Sequence, residues 1–287
     1  MEPVIVAHGG AGKGYFLEER KKGIADALLS GYKLLKEGKS AVDAVVECVR
    51  VMEDNPHFNA GYGSAMGLDG TIEMDAAVMS SDGKFGAVAG IKNVKNPVLV
   101  ARKVMEETEH IILCGEGAER FAKLMGFSEF DPTTEWVKEK FKEKKSSYYK
   151  KLKELAELYG FGTVGAVALD VHGKLAAATS TGGLMFHLPG RVGDTPIPGG
   201  GTYASPLGAA SASGHGECIA VNLVSFRAVD MLKEKPIHQV LGILKDEIPC
   251  RFGIILLDKH GNPGNILNAD YMVWGYVKEE KLQVLER

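Results

Sequence analysis

Four short motifs between residues 162 and 217 carry most of the side chains that could do chemistry. They are Gly162-Thr163-Val164-Gly165, Thr179-Ser180-Thr181-Gly182-Gly183, Pro189-Gly190-Arg191-Val192-Gly193-Asp194 and Ser213-Gly214-His215-Gly216-Glu217. Hydroxyls of this kind serve nucleophilic hydrolysis once a base takes the proton. The interleaved glycines let backbone approach a ligand closely. Other chemistries fail on spacing. HGGAGKG resembles a phosphate loop, but Ala7 stands where a Walker loop has its first glycine, and Gly14 replaces the hydroxyl residue after Lys13. The histidines form no HExxH or other tight ligand spacing, His172 and His260 fall in expected turns, and no G-x-S-x-G elbow occurs. Cys48, Cys114, Cys218 and Cys250 are far apart with no C-x-x-C pair, so they are expected to be idle thiols.

The elements that must position these motifs follow from periodicity. Residues 3–7 read as a buried strand ending at HGG. Residues 17–36 read as an amphipathic helix, with Ile24, Leu28, Leu29 and Leu35 on one face and a stop at Gly38. Ser40 and Asp43 form a near capping box for a second helix, which ends before Asn55-Pro56. A glycine-rich stretch, FNAGYGSAMGLDG, precedes strands in TIEMDAAVMSSDGKFGAVAGI, joined by a Ser-Asp-Gly turn. Pro97 opens a helix to about residue 107, residues 110–114 read as a strand, and residues 117–125 as a helix. The lysine- and glutamate-rich stretch 128–160 reads as a solvated connector between two halves of one fold.

The second half opens with two β-rich runs around a turn at 171–174. GAVALDVHGK (165–174) overlays GIILLDKHGN (253–262), and the reading favours two similar hairpins over an internal repeat. A glycine-rich loop spans 182–202, and helices are expected at about 216–233 and 236–246. Strands, then helices, then strands imply antiparallel sheets with helices outside.

At 287 residues the chain fits one large domain or two small ones. A formal charge of −3 gives no bulk attraction to nucleic acid or an anionic membrane. No secretory signal or membrane span is seen, so the expected location is the cytoplasm.

As a set these motifs resemble the plant-type asparaginase / isoaspartyl peptidase family of N-terminal-nucleophile hydrolases. HGGAG, FNAGYG, MDAAVM, GTVGAVALD, TSTGG and GRVGDTP carry the resemblance over nearly the whole chain. It implies an α+β fold, a four-layer αββα sandwich of two mainly antiparallel sheets flanked by helices. It implies a single domain over 1–287, cut between Gly162 and Thr163 into an α subunit (1–162) and a β subunit (163–287), and assembled as a homodimer of such pairs. Thr163 is then the nucleophile. Inside an intact chain its nitrogen is an amide, and the cut releases an α-amino group, of pKa about 7.7–8, to act as base. Attack of the Thr163 hydroxyl on the Gly162 carbonyl would make that cut, with Gly162 tolerating a strained backbone. The resemblance also has Thr181 orienting the nucleophile, Ser213 and Gly214 forming the oxyanion site, and Asn59 hydrogen-bonding nearby. Ser213 departs from the threonine of many relatives but keeps a hydroxyl.

For substrate, the resemblance implies asparagine or β-aspartyl dipeptides. Arg191 would bind the α-carboxylate, Asp194 the α-ammonium, and Gly214 and Gly216 would shape the pocket. The bland alternative is that Arg191 and Asp194 pair with each other. No cofactor is required; a structural sodium ion is expected on backbone carbonyls near residues 51–58. Two other functions compete: a glycosylasparaginase-like amidase, and an uncut, non-catalytic binding protein.

Overall fold

The computed structural model describes residues 1–12, 14–144 and 162–286. Two sheets lie face to face. The larger one holds β1 (Val4–Gly12), β2 (Met74–Ser80), β3 (Phe85–Ile91), β4 (Ile112–Cys114), β5 (Thr163–Leu169), β6 (Leu175–Thr181), β11 (Tyr271–Lys278) and β12 (Lys281–Glu286). Their order is β12-β11-β1-β5-β6-β2-β3-β4, and only the β3–β4 pair is parallel. The smaller sheet is antiparallel, in the order β10 (Pro263–Leu267), β9 (Phe252–Asp258), β8 (Gly208–Gly214) and β7 (Thr202–Ser205).

Three apolar clusters mark the three seams of the αββα sandwich. One joins the large sheet to helices α1 (Leu17–Lys36), α2 (Ala41–Glu53), α3 (Pro97–Glu107) and α4 (Gly115–Leu124). A second lies between the sheets, where Val167 and Leu169 meet Ala209, Ile255 and Leu257. The third seats α6 (Gly216–Val221), α7 (Val224–Asp230) and α8 (Ile237–Glu247) on the small sheet. Strand alternation sorts the side chains: Val164, Ala166 and Ala168 of β5 face the helices, while Val167 and Leu169 face the other sheet.

Local signals hold at two helix starts, Ser40 capping α2 and Pro97 opening α3. The capping box of α2 is complete, with Asp43 N–H donating to Ser40 Oγ and Ser40 N–H to Asp43 Oδ2, both at 3.1 Å. The two similar hairpins share one turn chemistry. Asp170 Oδ1 accepts from the N–H groups of His172 and Lys174, and Asp258 Oδ1 from those of His260 and Asn262.

Five expectations need correction. Leu29 is 50% exposed, because the buried stripe of α1 runs through Ile24, Ala27, Leu28 and Leu35. β1 continues through HGGAG to Gly12, since pairing to β11 carries it past the glycines with a register shift. The expected helix 216–233 is broken at Leu223, whose φ of 46° no α-helix accepts, into α6, α7 and a short 3₁₀ turn at Met231–Lys233.

The charged connector is partly built in. Its helix α5 (Glu135–Lys144) buries Val137 and packs Trp136 edge-on against Tyr15 and Phe16, and Phe141 stacks on Phe186 at 5.2 Å. The connector's remaining residues, 145–160, lie outside the described residues. Finally, Cys218 and Cys250 are not idle thiols. They form a disulfide across 32 residues with a Cα–Cα distance of 6.4 Å, ordinary for such a bond. Cys48 is a buried free thiol and Cys114 an exposed one.

Packing around two glycines sets opposite expectations. A Cβ on Gly86 would sit 2.5 Å from Met105 N and 2.6 Å from Met105 Cβ, in the seam between β3 and α3. Gly86→Ala should therefore cost about 1–3 kcal/mol by overpacking. A Cβ on Gly242 in α8 meets nothing within 4 Å, so Gly242→Ala should gain roughly 0.5–1 kcal/mol from helix propensity. Thermal melts should move a few degrees down for the first and up for the second.

Candidate active site

Thr163 opens β5 and Thr181 closes β6, and antiparallel register sets them opposite each other. Opposed side chains share a face, and Thr163 Oγ1 donates to Thr181 Oγ1 at 3.1 Å. The Gly183 N–H donates to the same Thr181 oxygen at 3.0 Å. As the first residue of its strand, on the face that meets the small sheet, Thr163 places its hydroxyl at the end of the inter-sheet layer. There it lines one narrow cleft with Thr181, Arg191, Asp194, Gly214 and Gly162.

Arg191 and Asp194 do not neutralise each other. Arg191 Nε donates to Glu217 Oε1 at 2.9 Å. Its Nη atoms turn to the glycines: Nη1 lies 2.9 Å from the Cβ position of Gly193, and Nη2 2.8 Å from that of Gly216. The terminal fork is thus open toward a carboxylate. Asp194 is buried, and its Oδ2 has no hydrogen-bond partner among the described residues. Burial pushes its carboxyl up to about 7, against the pull of Arg191. Asp194 Oδ1 also lies 2.8 Å from the Gly216 Cβ position, so any side chain at 216 would fill the space between the two charges. An open guanidinium fork and Asp194 Oδ1, one on each side of that space, can read an amino-acid head group, while the unpartnered Oδ2 is turned to Gly201.

Of the other expected residues, Gly162 and Gly214 belong to the cleft lining, and Ser213 and Asn59 stand beside it. Ser213 is fully buried on β8, and its Oγ accepts from Ala11 N–H at 3.0 Å, so its proton remains available to donate. Gly214, with φ of 148°, could not carry a side chain: its Cβ would lie 2.5 Å from the Arg251 carbonyl oxygen. Asn59 spends its amide away from Thr163, donating from Nδ2 to the Gly183 carbonyl and accepting the Ala65 N–H at Oδ1, each at 2.7 Å. It buttresses Gly183, which in turn holds Thr181. Gly162 is required by packing, since its Cβ would fall 2.9 Å from Asn59 Cβ. From the other side Gly10 presses on the same peptide, its Cβ position lying 2.7 Å from both Gly162 Cα and Thr163 N.

Two sets of functional residues were missed. The first is Glu73 and Asp75. Asp75 stands in register with Thr181, one strand further from Thr163. Its Oδ2 accepts the Gly193 N–H at 3.1 Å and its Oδ1 the Gly90 N–H at 2.8 Å. Glu73 Oε2 accepts the Gly190 N–H at 2.7 Å. Two carboxylates therefore grip the backbone on both sides of Arg191. The available signal was a Glu-x-Asp pair entering an apolar strand, where an acid is costly unless partnered. The second is a buried chain under β5. His8 Nε2 lies 3.0 Å from Ser211 Oγ, which lies 2.7 Å from Thr179 Oγ1. These side chains meet over Gly165, which pairs with both His8 and Thr179. Burial pushes His8 down to about 3, so it is neutral near neutral pH.

A family model described as Asparaginase matches residues 1–286. The chain is 44% identical over 295 residues to the plant-type L-asparaginase of Pyrococcus abyssi, covering 96% of each chain. It is 41% identical over 301 residues to the isoaspartyl peptidase/L-asparaginase of Xenopus laevis, covering 99% of this chain and 95% of that one. The protein of the same description from Mus musculus is 42% identical over 294 residues, covering 98% and 89%.

The grip on Arg191 is open to test. Hydrogen bonds to charged groups contribute about 1.5–3 kcal/mol. Asp75→Asn and Glu73→Gln should each weaken binding of L-aspartate, used as a probe of the head-group site, by roughly tenfold or more in calorimetry. Thr163→Ala, which leaves Arg191 and its loop untouched, should bind the probe much as the parent does.

Proposed function

The chain belongs to the asparaginase family and is a hydrolase, and we propose that it cuts itself before Thr163 and then uses Thr163 to hydrolyse β-aspartyl amides. The observation that carries this reading is one cleft holding a threonine hydroxyl bonded to a second threonine, an open guanidinium fork and the Asp194 carboxyl, with Oδ1 turned to the same space beside Gly216.

In the activating step the Thr163 hydroxyl attacks the Gly162 carbonyl carbon. The Gly162–Thr163 C–N bond breaks as an ester forms, and the nitrogen becomes a free amine. Water then hydrolyses the ester, leaving Gly162 as a carboxylate and Thr163 as a chain start. Because α5 is anchored through Trp136, Val137 and Phe141, the cut would leave the first chain docked.

In the working cycle the Thr163 amine takes the proton from Oγ1, while Thr181 holds that oxygen in place. The nucleophile attacks the β-carbonyl of asparagine or of a β-aspartyl dipeptide. Arg191 fixes the α-carboxylate and Asp194 the α-ammonium. The Gly214 N–H and the Ser213 hydroxyl stabilise the developing oxyanion. Ammonia or the second amino acid leaves with the proton, and water releases aspartate from the ester.

A structural sodium ion on backbone carbonyls near residues 51–58 is part of the same proposal, since carbonyl oxygens are the hard donors such an ion takes. It would stiffen the approach to Asn59. Pairing of two such α/β units completes the proposal. It is supported by exposed apolar side chains: Val221 at 85%, and Leu223 and Phe226, which both reach the Gly199 Cβ position.

Intact-mass measurement on protein held warm should show two fragments meeting at Gly162/Thr163. Thr163→Ala should stay whole and release no ammonia from asparagine. A wild-type chain that never divides, or a Thr163→Ala variant that still does, would sink the proposal. The pH dependence should split between two groups. Asp194 must be ionised to hold an ammonium, so L-aspartate affinity should fall about tenfold per unit as pH drops below about 7. The Thr163 amine must be neutral, so kcat should fall below its own pKa, about 7.7–8 if unshifted.

A further inference from the structure

His215, Cys218 and Cys250 meet at the edge of the cleft, on residues that the hydrolytic cycle does not use. One ligand atom from each lies within 4.8 Å of the other two. All three are half-buried. His215 and Cys218 are three positions apart, flanking the start of α6, and Cys250 comes from the loop entering β9. The backbone between these elements is tied as well, His215 N–H donating to the Arg251 carbonyl at 3.0 Å.

The donor set has the chemistry of a zinc site. Two sulfurs and an imidazole nitrogen suit a borderline-soft divalent ion. With Zn–S near 2.3 Å and Zn–N near 2.0–2.1 Å, tetrahedral donors stand about 3.5–3.8 Å apart, so an opened sulfur pair needs only small side-chain rotations to comply. A fourth donor is at hand: Glu217 Oε2 lies 3.6 Å from His215 Nε2. Asn222 Nδ2, 3.6 Å from Cys218 Sγ, is placed as the kind of outer donor that supports a thiolate ligand.

We propose that His215, Cys218 and Cys250, in the dithiol state, form a zinc-binding site that is closed when the two cysteines are joined. Opening takes two electrons and two protons from a small dithiol, which leaves as its own disulfide. Zinc then displaces both thiol protons, binds both thiolates and the neutral imidazole, and draws in Glu217. Glu217 also accepts from Arg191 Nε, so a bound ion pulls on the residue that steadies the carboxylate anchor. That coupling rests on the reading of Arg191 given above; the ion site itself does not.

The test uses the full-length protein, reduced with dithiothreitol, desalted under nitrogen and titrated with zinc against a chromophoric chelator. The reduced chain should take up one zinc more than the Cys218→Ser/Cys250→Ser double variant, and the untreated disulfide form should show no such extra ion. His215→Ala keeps the disulfide and the fold. It should weaken the ion by about 100-fold, at or beyond the upper end of what losing an outer-shell partner costs. Equal uptake by the reduced chain and the double variant, or undiminished affinity in His215→Ala, overturns the site. In the same samples, zinc should raise the KM for asparagine with less change in kcat, and a chelator should reverse it. An unchanged KM with zinc bound overturns the coupling. Zinc uptake is read whether or not the chain hydrolyses asparagine, so failure of the site and failure of the proposed activity are separable.

Discussion

The antiparallel register of β2, β6 and β5 is the constraint on which the site depends. It sets Asp75, Thr181 and Thr163 in one row, side by side across three strands. A slip of one residue would turn all three to the helix layer. With the register kept, each takes a different task at the same end of the sandwich: Thr163 presents a hydroxyl, Thr181 holds it, and Asp75 anchors the loop that brings Arg191 round. Burial enforces the register, because the opposite parity carries the alanines and valines that the helices need.

Glycine acts here mainly by absence. Gly10 and Gly162 let β1 and the Asn59 loop close on the Gly162–Thr163 peptide from two sides. Gly165 leaves a gap under β5 that Ser211 of the other sheet fills, bonded to His8 and Thr179. Gly216 keeps the space between Arg191 and Asp194 empty. At Gly10 and Gly162 the approach is backbone against backbone or against a neighbouring Cβ, where little can give. The peptide proposed for cutting and the proposed head-group site are therefore shaped by close packing.

The buried acids show what such a site costs. Asp194 and Glu53 are fully buried, each with one oxygen lacking a partner among the described residues, and burial raises them to about 7 and about 8. A carboxyl whose folded pKa lies above its unfolded value binds more protons when folded. Its contribution to stability is therefore present at low pH and declines as pH rises from the ordinary carboxylate range through the folded value. Near neutral pH the fold carries this cost, and for Asp194 the ionised form is the one that can receive an ammonium. Glu53 recovers part of it by accepting the Val98 N–H at the start of α3, at 3.0 Å.

Most of the elements are legible in the chain, because helix caps, strand alternation and Asp-Gly turns are local and repeat every few residues. The α2 capping box and the Asp170 and Asp258 turns are of this kind, and the motif resemblance groups Thr163, Thr181, Arg191, Asp194 and Gly214. Which partners these residues take is set by tertiary packing. Arg191 meets Glu217 and leaves Asp194 alone, Asn59 turns to Gly183, and Cys218 finds Cys250 across 32 residues. The grip of Glu73 and Asp75 on the Arg191 loop joins positions more than 100 residues apart. Such contacts depend on how sheets stack and where loops return, and no periodicity along a single chain encodes that.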